Sequence, residues 1–276
     1  LRLHILPALG SLAVVDVTRA DVAKLHYQLR ATPMQANRTV AVLSKMMNLA
    51  ERWGLRADST NPCRHVERNR ERRRERFLST EEIGRLGQVL DQAARGPLTL
   101  PARRKKTPAV TVTLSPYALA AIALLIFTGA RRGEVLGLTW DQVELERGLL
   151  RLAESKTGLR VIHLNAAAVA ILERIPRVGG NEHVIVGDRR GAHLVNLTKS
   201  WHVLRRAAQL PGVRLHDLRH THASVGAAAG LGLPMIGALL GHTQAATTQR
   251  YAHLSADPVR AAAELVGAHI AKALEA

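Results

Sequence analysis

Apolar residues in the first sixty positions recur at helical spacing in short blocks. Thr18, followed three residues on by Asp21, predicts a capped helix start, and Val22, Leu25 and Leu29 give one apolar face to a helix over 19–31. A second helix is expected after Pro33, with Val40, Leu43, Met46, Met47, Ala50 and Trp53 in register and Gly54 as its stop. Together these predict a small helical bundle. Asn61-Pro62 breaks the pattern, and the next capped start is Ser79 with Glu82, opening a helix to about Arg95. Residues 96–115 read as irregular, an exposed loop or hairpin. Ser115-Pro116 then starts a helix over 116–128 that is apolar nearly all round and therefore buried.

Beyond Trp140 the period shortens. Gln142 to Leu145, Leu149 to Ala153 and Arg160 to Leu164 are β-prone runs separated by Arg147-Gly148 and Lys156-Thr157-Gly158 turns, which predicts a small antiparallel sheet. Helical spacing returns at 166–174, 196–209, 217–229, 233–240 and 258–274. The expected fold class is mainly α with a small antiparallel β-sheet in a second, larger domain. The boundaries that follow are 1–65 for the helical domain, 66–78 for a basic linker, 79–257 for the second domain and 258–276 for a C-terminal helix.

Charge changes the picture more than composition does. The 276 residues carry 39 Lys+Arg against 22 Asp+Glu, a formal net charge of +17, which calls for an anionic partner. Arg64 to Arg76 alone holds seven arginines against three glutamates, so Arg64, Arg68, Arg72 and Arg73 are candidate phosphate contacts. Arg103, Arg104, Lys105 and Lys106, between two prolines, form a second candidate patch. Aromatic residues are only 3% of the chain, which argues against gripping single strands by stacking and favours contact with the backbone of a duplex. A lone cysteine, Cys63, excludes an internal disulfide framework and suits a reducing, cytoplasmic compartment. The uncharged stretch from Thr107 to Ala130 is interrupted by Pro108 and Pro116 and is too short in its apolar part to cross a bilayer.

Four separated motifs carry candidate chemistry. Thr128-Gly129-Ala130-Arg131-Arg132-Gly133-Glu134 sets arginines at the end of a buried helix, where Arg131 can fork onto a phosphate and Glu134 can orient it. Lys156 occupies a hairpin tip, from which a lysine can act as general acid towards a leaving alkoxide. His216-Asp217-Leu218-Arg219-His220 places His216, Arg219 and His220 on one helical face. His216 and His220 also have the i, i+4 spacing of a zinc pair, but no HExxH glutamate or neighbouring cysteine accompanies them, and no metal is expected. Leu240-Gly241-His242 is followed nine residues later by Tyr251. Unlike Tyr27 and Tyr117, Tyr251 belongs to a motif in company with His, Arg and Lys.

With TGARRGEVLGL, ESKTGLRVIHL, HDLRHTHAS and LGHTQAATTQRYAH in that order, residues 79–255 resemble the tyrosine recombinases, the phage-integrase and Xer-like site-specific enzymes. The 1–65 segment is similar to that family's helical core-binding domain. The resemblance implies Arg131 and Arg219 on the scissile phosphate, Lys156 as the hairpin lysine, and His216 and His242 as the histidines of the site. It implies Tyr251 as nucleophile, with Glu134 and His220 in support, and makes His216 the candidate base. It further implies a two-domain clamp on double-stranded DNA at a specific recombination site and cleavage through a 3′-phosphotyrosine and a Holliday junction. The implied assembly is a homotetramer on two DNA sites, with an accessory or directionality factor as a further partner class. The last helix, through Val259, Leu265, Val266, Ile270 and Leu274, docks either in cis or in trans on a neighbour.

No cofactor, metal or ATP is needed for such chemistry, because the phosphotyrosine retains the phosphodiester energy. The family pattern also has an arm-binding domain that does not precede Leu1, so the expectation is either a fragment or a simpler member, encoded by a phage or mobile element. Two other tasks fit the same residues: type IB topoisomerase-like relaxation, or DNA binding without catalysis. Because the charge surplus serves mainly to hold phosphates, binding to duplex DNA is expected to weaken with salt at a log–log slope of roughly −9 for about ten contacts, measured by a salt titration of duplex affinity.

Overall fold

The computed structural model describes residues 1–71, 75–100, 110–155, 158–254 and 258–274. Arg72, Arg73, Arg103, Arg104, Lys105, Lys106 and Lys156 lie outside the described residues. The chain divides into two units, Leu1–Glu75 and Arg76–Ala276.

In the first unit, α1 (Ile5–Leu9), α2 (Arg19–Gln28) and α3 (Pro33–Arg52) enclose a core of Ile5, Leu9, Val17, Val22, Leu25, Val40, Leu43, Met47 and Cys63. The Thr18–Asp21 capping box is formed, with the Thr18 N–H donating to Asp21 Oδ2 at 2.9 Å and the Asp21 N–H donating to Thr18 Oγ1 at 3.3 Å. Helix α2 is shorter than its apolar pattern suggested. One expected core position is corrected: Trp53 sits at the C-cap of α3 and is 66% exposed, because the helix ends there and the ring turns away from the seam.

Asn61 does more than end a pattern. Its N–H donates to Glu51 Oε1 (2.6 Å), its Nδ2 donates to Asn48 Oδ1 (2.6 Å), and its Oδ1 accepts from the Cys63 N–H (2.8 Å). The buried side chain thereby fastens the chain after α3 back onto that helix. Asn37 performs a similar task, donating through Nδ2 to Asn69 O and Glu71 Oε1, both at 2.8 Å, while its Oδ1 accepts from the Asn69 N–H at 2.9 Å. Residues 69–71, within the stretch expected to be a linker, are therefore stitched to α3.

In the second unit, α4 (Thr80–Arg95) begins with the Ser79–Glu82 capping box, and Glu82 also accepts from Arg76 Nη1 at 2.8 Å. Strands β1 (Leu98–Leu100) and β2 (Val110–Val112) pair antiparallel, so the ends of the segment read as irregular form a hairpin. Helix α5 (Pro116–Thr128) is the central element, burying Ala118, Leu119, Ala120, Ala121, Ile122, Leu124, Leu125 and Thr128, with Pro116 and Phe127 exposed at its two ends. After α6 (Arg132–Leu136) and a 3₁₀ turn at Trp140–Gln142, β3 (Val143–Glu144), β4 (Leu149–Ser155) and β5 (Gly158–His163) form an antiparallel sheet in the order β3-β4-β5. Helices α7 (Ala166–Arg174), α8 (Thr198–Ala207), α9 (Leu215–Ala228) and α10 (Leu233–Leu240) complete the core. α11 (Ala245–Thr248), a 3₁₀ turn at Gln249–Leu254 and α12 (Pro258–Leu274) follow. The mainly α fold with a small antiparallel sheet is thus observed, and among the described residues no helix is long and apolar enough to cross a membrane.

Replacing Asn61 with Ala leaves the buried Cys63 N–H without its acceptor. A loss of about 1–3 kcal/mol in the stability of the first unit is expected, measured by denaturant unfolding followed by circular dichroism.

Candidate active site

Two helix ends meet at one place. α5 stops at Gly129 (φ +61°) and α10 stops at Gly241 (φ +64°), both in the left-handed conformation that glycine adopts without strain. A Cβ on Gly129 would lie 2.8 Å from the His222 ring and 2.9 Å from Leu240, and one on Gly241 would collide with Arg160. Neither position has room for a side chain. Helix C-termini expose carbonyls that no backbone N–H satisfies and that carry partial negative charge.

Arg219, on α9, supplies those carbonyls with donors. Its Nη1 donates to Gly129 O and its Nη2 to Leu240 O, each at 2.5 Å, joining the ends of α5 and α10. The residue is 5% exposed. Burial, and then repulsion from Arg160 and Arg131, pushes its guanidinium down to about 10, which leaves it charged at neutral pH.

Arg131 caps α6 and is the exposed member of the cluster. Its N–H donates to Glu134 Oε2 at 2.6 Å, its Nη1 to Glu134 Oε1 at 2.8 Å, and its Nη2 to Gly241 O at 3.2 Å. Arg160, on β5, also donates from Nη1 to Glu134 Oε1. Burial works against the charge on Glu134, but the Arg131 N–H and the Arg160 guanidinium hold its carboxyl below the usual range. Arg131, Arg160 and Arg219 with Glu134 leave a positive surplus where a phosphate can be held by bidentate donors.

The imidazoles are kept neutral. His242 follows the α10 stop, and its Nδ1 is 2.8 Å from Thr248 Oγ1, which fixes the ring. Burial and then the Arg219 charge push it down to about 4. His220 is likewise pushed down to about 4, first by burial and then by Arg250. His216 is lowered by partial removal from water and by Arg219, and its ring meets that of His220 edge-on at 4.7 Å.

Tyr251 is carried by the 3₁₀ turn and is 4% exposed, packed in a cluster with Ala223, Ala227, Ile236 and Leu240. Its hydroxyl lies 2.5 Å from His220 Nδ1. The imidazole that meets the phenol is therefore His220, one helical turn beyond His216 on the same face, and His216 meets His220 and not Tyr251. Burial raises the phenol above its ordinary value, with Arg250 and Arg219 opposing that rise. The hydroxyl is thus protonated at neutral pH, and in the tautomer with its hydrogen on Nε2, neutral His220 accepts from it through Nδ1.

Of the residues expected at the site, Arg131, Glu134, His216, Arg219, His220, His242 and Tyr251 belong to this one unit and are linked through these contacts. Arg64 lies in the first unit with Nη2 3.7 Å from Glu51, and Arg68 lines a basic groove there with Arg19, His26, Tyr27 and Arg30. Sequence reasoning missed Arg160, Thr248 and His222. The signal for Arg160 was present: it shares a strand face with Ile162, which is 3% exposed, so a charged residue stood in an inward register. Among the described residues no group of His, Cys, Asp and Glu could hold a metal ion.

Residues 105–257 match the model of the phage integrase family, and the chain belongs to that family. It is similar to tyrosine recombinase XerD of Pseudomonas putida, 32% identical over 147 residues that make up 49% of each chain. It is also similar to tyrosine recombinase XerC of Roseiflexus castenholzii, 28% identical over 256 residues, 87% of this chain and 75% of the relative. The chain spans about half the length of several of the curated relatives it matches. Among solved structures, the Tn1549 transposon integrase in complex with transposon right end DNA matches with a TM-score of 0.66 at 17% identity, covering 94% of this chain and 88% of that one. A lambda integrase tetramer bound to a Holliday junction matches with a TM-score of 0.63 at 19% identity, covering 92% and 69%. These likenesses establish the fold.

The histidine shifts have a definite sign. A folded-state value near 4 against 6.5 means that the unfolded chain takes up protons first, so stability is full above pH 6.5 and is lost as pH falls towards 4. The melting temperature is expected to fall across that interval, and His220→Gln to flatten part of the fall; parallel profiles for the two proteins would contradict the assignment.

Proposed function

We propose that the chain is the DNA-cleaving and rejoining part of a site-specific recombinase of the integrase type, acting on double-stranded DNA through a covalent 3′-phosphotyrosine. The observation that carries this reading is the Tyr251 hydroxyl held on a neutral histidine in the same unit as the Arg131–Arg219 cluster. A phosphate bound by Arg131 and Arg219 gains bidentate donors that strengthen as charge accumulates in the pentavalent transition state. His220 accepts the phenol proton as the oxygen attacks phosphorus, and His216, beside it, is the second imidazole facing the site. His242, fixed by Thr248, supplies a ring N–H to a phosphoryl oxygen. Lys156 is assigned the proton for the leaving 5′-oxygen.

No metal or nucleotide enters this scheme. The phosphotyrosine keeps the bond energy of the broken phosphodiester, and a 5′-hydroxyl from a partner duplex attacks it to rejoin the strands. The related structures on DNA and on a Holliday junction support paired strand exchange and a homotetramer on two sites. Arg64 and Arg68, together with Arg72, Arg73, Arg103, Arg104, Lys105 and Lys106, are assigned to holding phosphates. The C-terminal helix exposes Val266, Ile270 and Leu274, which suits docking on a neighbouring copy.

A pool of nicked suicide duplexes with a randomised core tests the reading. The wild type is expected to yield SDS-resistant protein–DNA adducts and Tyr251→Phe none, whereas adducts formed by Tyr251→Phe would refute the nucleophile. Arg131→Ala and Arg219→Ala should lower adduct formation by at least ~10³-fold with modest loss of binding, and Arg64→Ala with Arg68→Ala the reverse. Relaxation of any supercoiled plasmid without a defined site would instead favour the topoisomerase-like task.

A further inference from the structure

Glu134 is shared between two unlike arginines. The Arg131 side chain is 47% exposed, the Arg160 side chain 10% and the Glu134 side chain 18%. Both guanidiniums donate to the same carboxylate oxygen, Oε1. Arg160 enters from β5 in the inward register and passes under the Gly241 turn, close enough that no Cβ fits there. Among the described residues its Nε and Nη2, both buried, have no hydrogen-bond partner. Unsatisfied buried donors are costly, and in a family of functional side chains they call for a reason beyond packing.

The reason lies in what Arg131 must do. To meet a phosphate, Arg131 turns away at least part of its guanidinium from Glu134, and a half-buried carboxylate left with only the Arg131 N–H and no guanidinium is destabilised. With Arg160 in place the carboxylate stays paired. Without it, Glu134 competes with the phosphate for Arg131.

We propose that Arg160 is a positioning residue for the reaction: it neutralises Glu134 from beneath, so that Arg131 is released to the DNA phosphate. This inference rests on the recombinase reading, and its test separates the two. On the nicked-duplex pool, Arg160→Met should form adducts on the order of 30-fold more slowly than wild type at saturating protein, with duplex affinity within about threefold. Arg160→Lys, which keeps the charge but not the forked geometry, should fall between them. The distinguishing variant is the double replacement Arg160→Met with Glu134→Gln. Removing the stranded anion should recover at least about tenfold over Arg160→Met alone, although Glu134→Gln by itself should not accelerate the wild type.

A structural brace predicts otherwise: the double replacement would be no faster than Arg160→Met, and both would melt lower by similar amounts. That result overturns the proposal, as does Arg160→Met cleaving within threefold of wild type. A second arm needs no activity. NMR titration of the Glu134 carboxyl should show its value rising in Arg160→Met, and in Arg160→Lys by less; an unchanged value overturns the proposal even if no duplex in the pool is cleaved. Failure of the wild type to form any adduct, with the Glu134 value rising as expected, instead refutes the recombinase reading alone.

Discussion

One guanidinium joins two helix ends, and the geometry of the site depends on it. Arg219 closes the C-termini of α5 and α10 by donating to Gly129 O and Leu240 O. Each of those ends would otherwise present bare carbonyls to a largely apolar interior, and the charge on Arg219 is itself tolerated there because both acceptors lie at negative helix poles. The two glycines after α5 and α10 make the approach possible. Two of the groups that face the proposed phosphate follow these ends directly: Arg131 comes two residues after Gly129, and His242 one residue after Gly241.

The electrostatic order of the site follows from burial together with that cation. Burial is the first cause that drives His220 and His242 to the neutral form, and neighbouring positive charge, Arg250 at His220 and Arg219 at His242, adds to it, so both can accept or relay protons at physiological pH. Glu134 is the counterweight. It keeps Arg131 and Arg160 from repelling one another apart while leaving a net positive field, the condition for holding an anion without being neutralised beforehand.

Much of this architecture could be read along the chain, because its signals are local. The capping boxes at Thr18 and Ser79, the apolar run of 116–128 and the three short β-prone runs all report structure within a few residues. Motif order singled out Arg131, Glu134, His216, Arg219, His220, His242 and Tyr251 as candidates, all of which lie in the second unit. What escaped depends on distant partners. Trp53 keeps helical spacing yet lies outside the core, since periodicity does not say where a helix stops packing. Arg160 was passed over in a strand read for its apolar residues, and its role is visible only once Glu134, 26 residues away, is seen beside it. The choice between His216 and His220 turns on where the 3₁₀ turn sets the phenol, which no spacing within the α9 motif encodes.

Tyr251 is mounted on Gln249–Leu254, a 3₁₀ turn, and not on an α-helix. Its i→i+3 hydrogen bonds are poorer in geometry than those of an α-helix and span only six residues, so rewinding this segment involves few strong bonds. Of the arginines proposed to hold the phosphate, by contrast, Arg131 stands at the N-cap of α6 and Arg219 is buried on α9. On the proposed reading, Arg219 is held between two helix ends while the attacking phenol rides on a short 3₁₀ segment, and the energetic cost of moving it is confined to that segment.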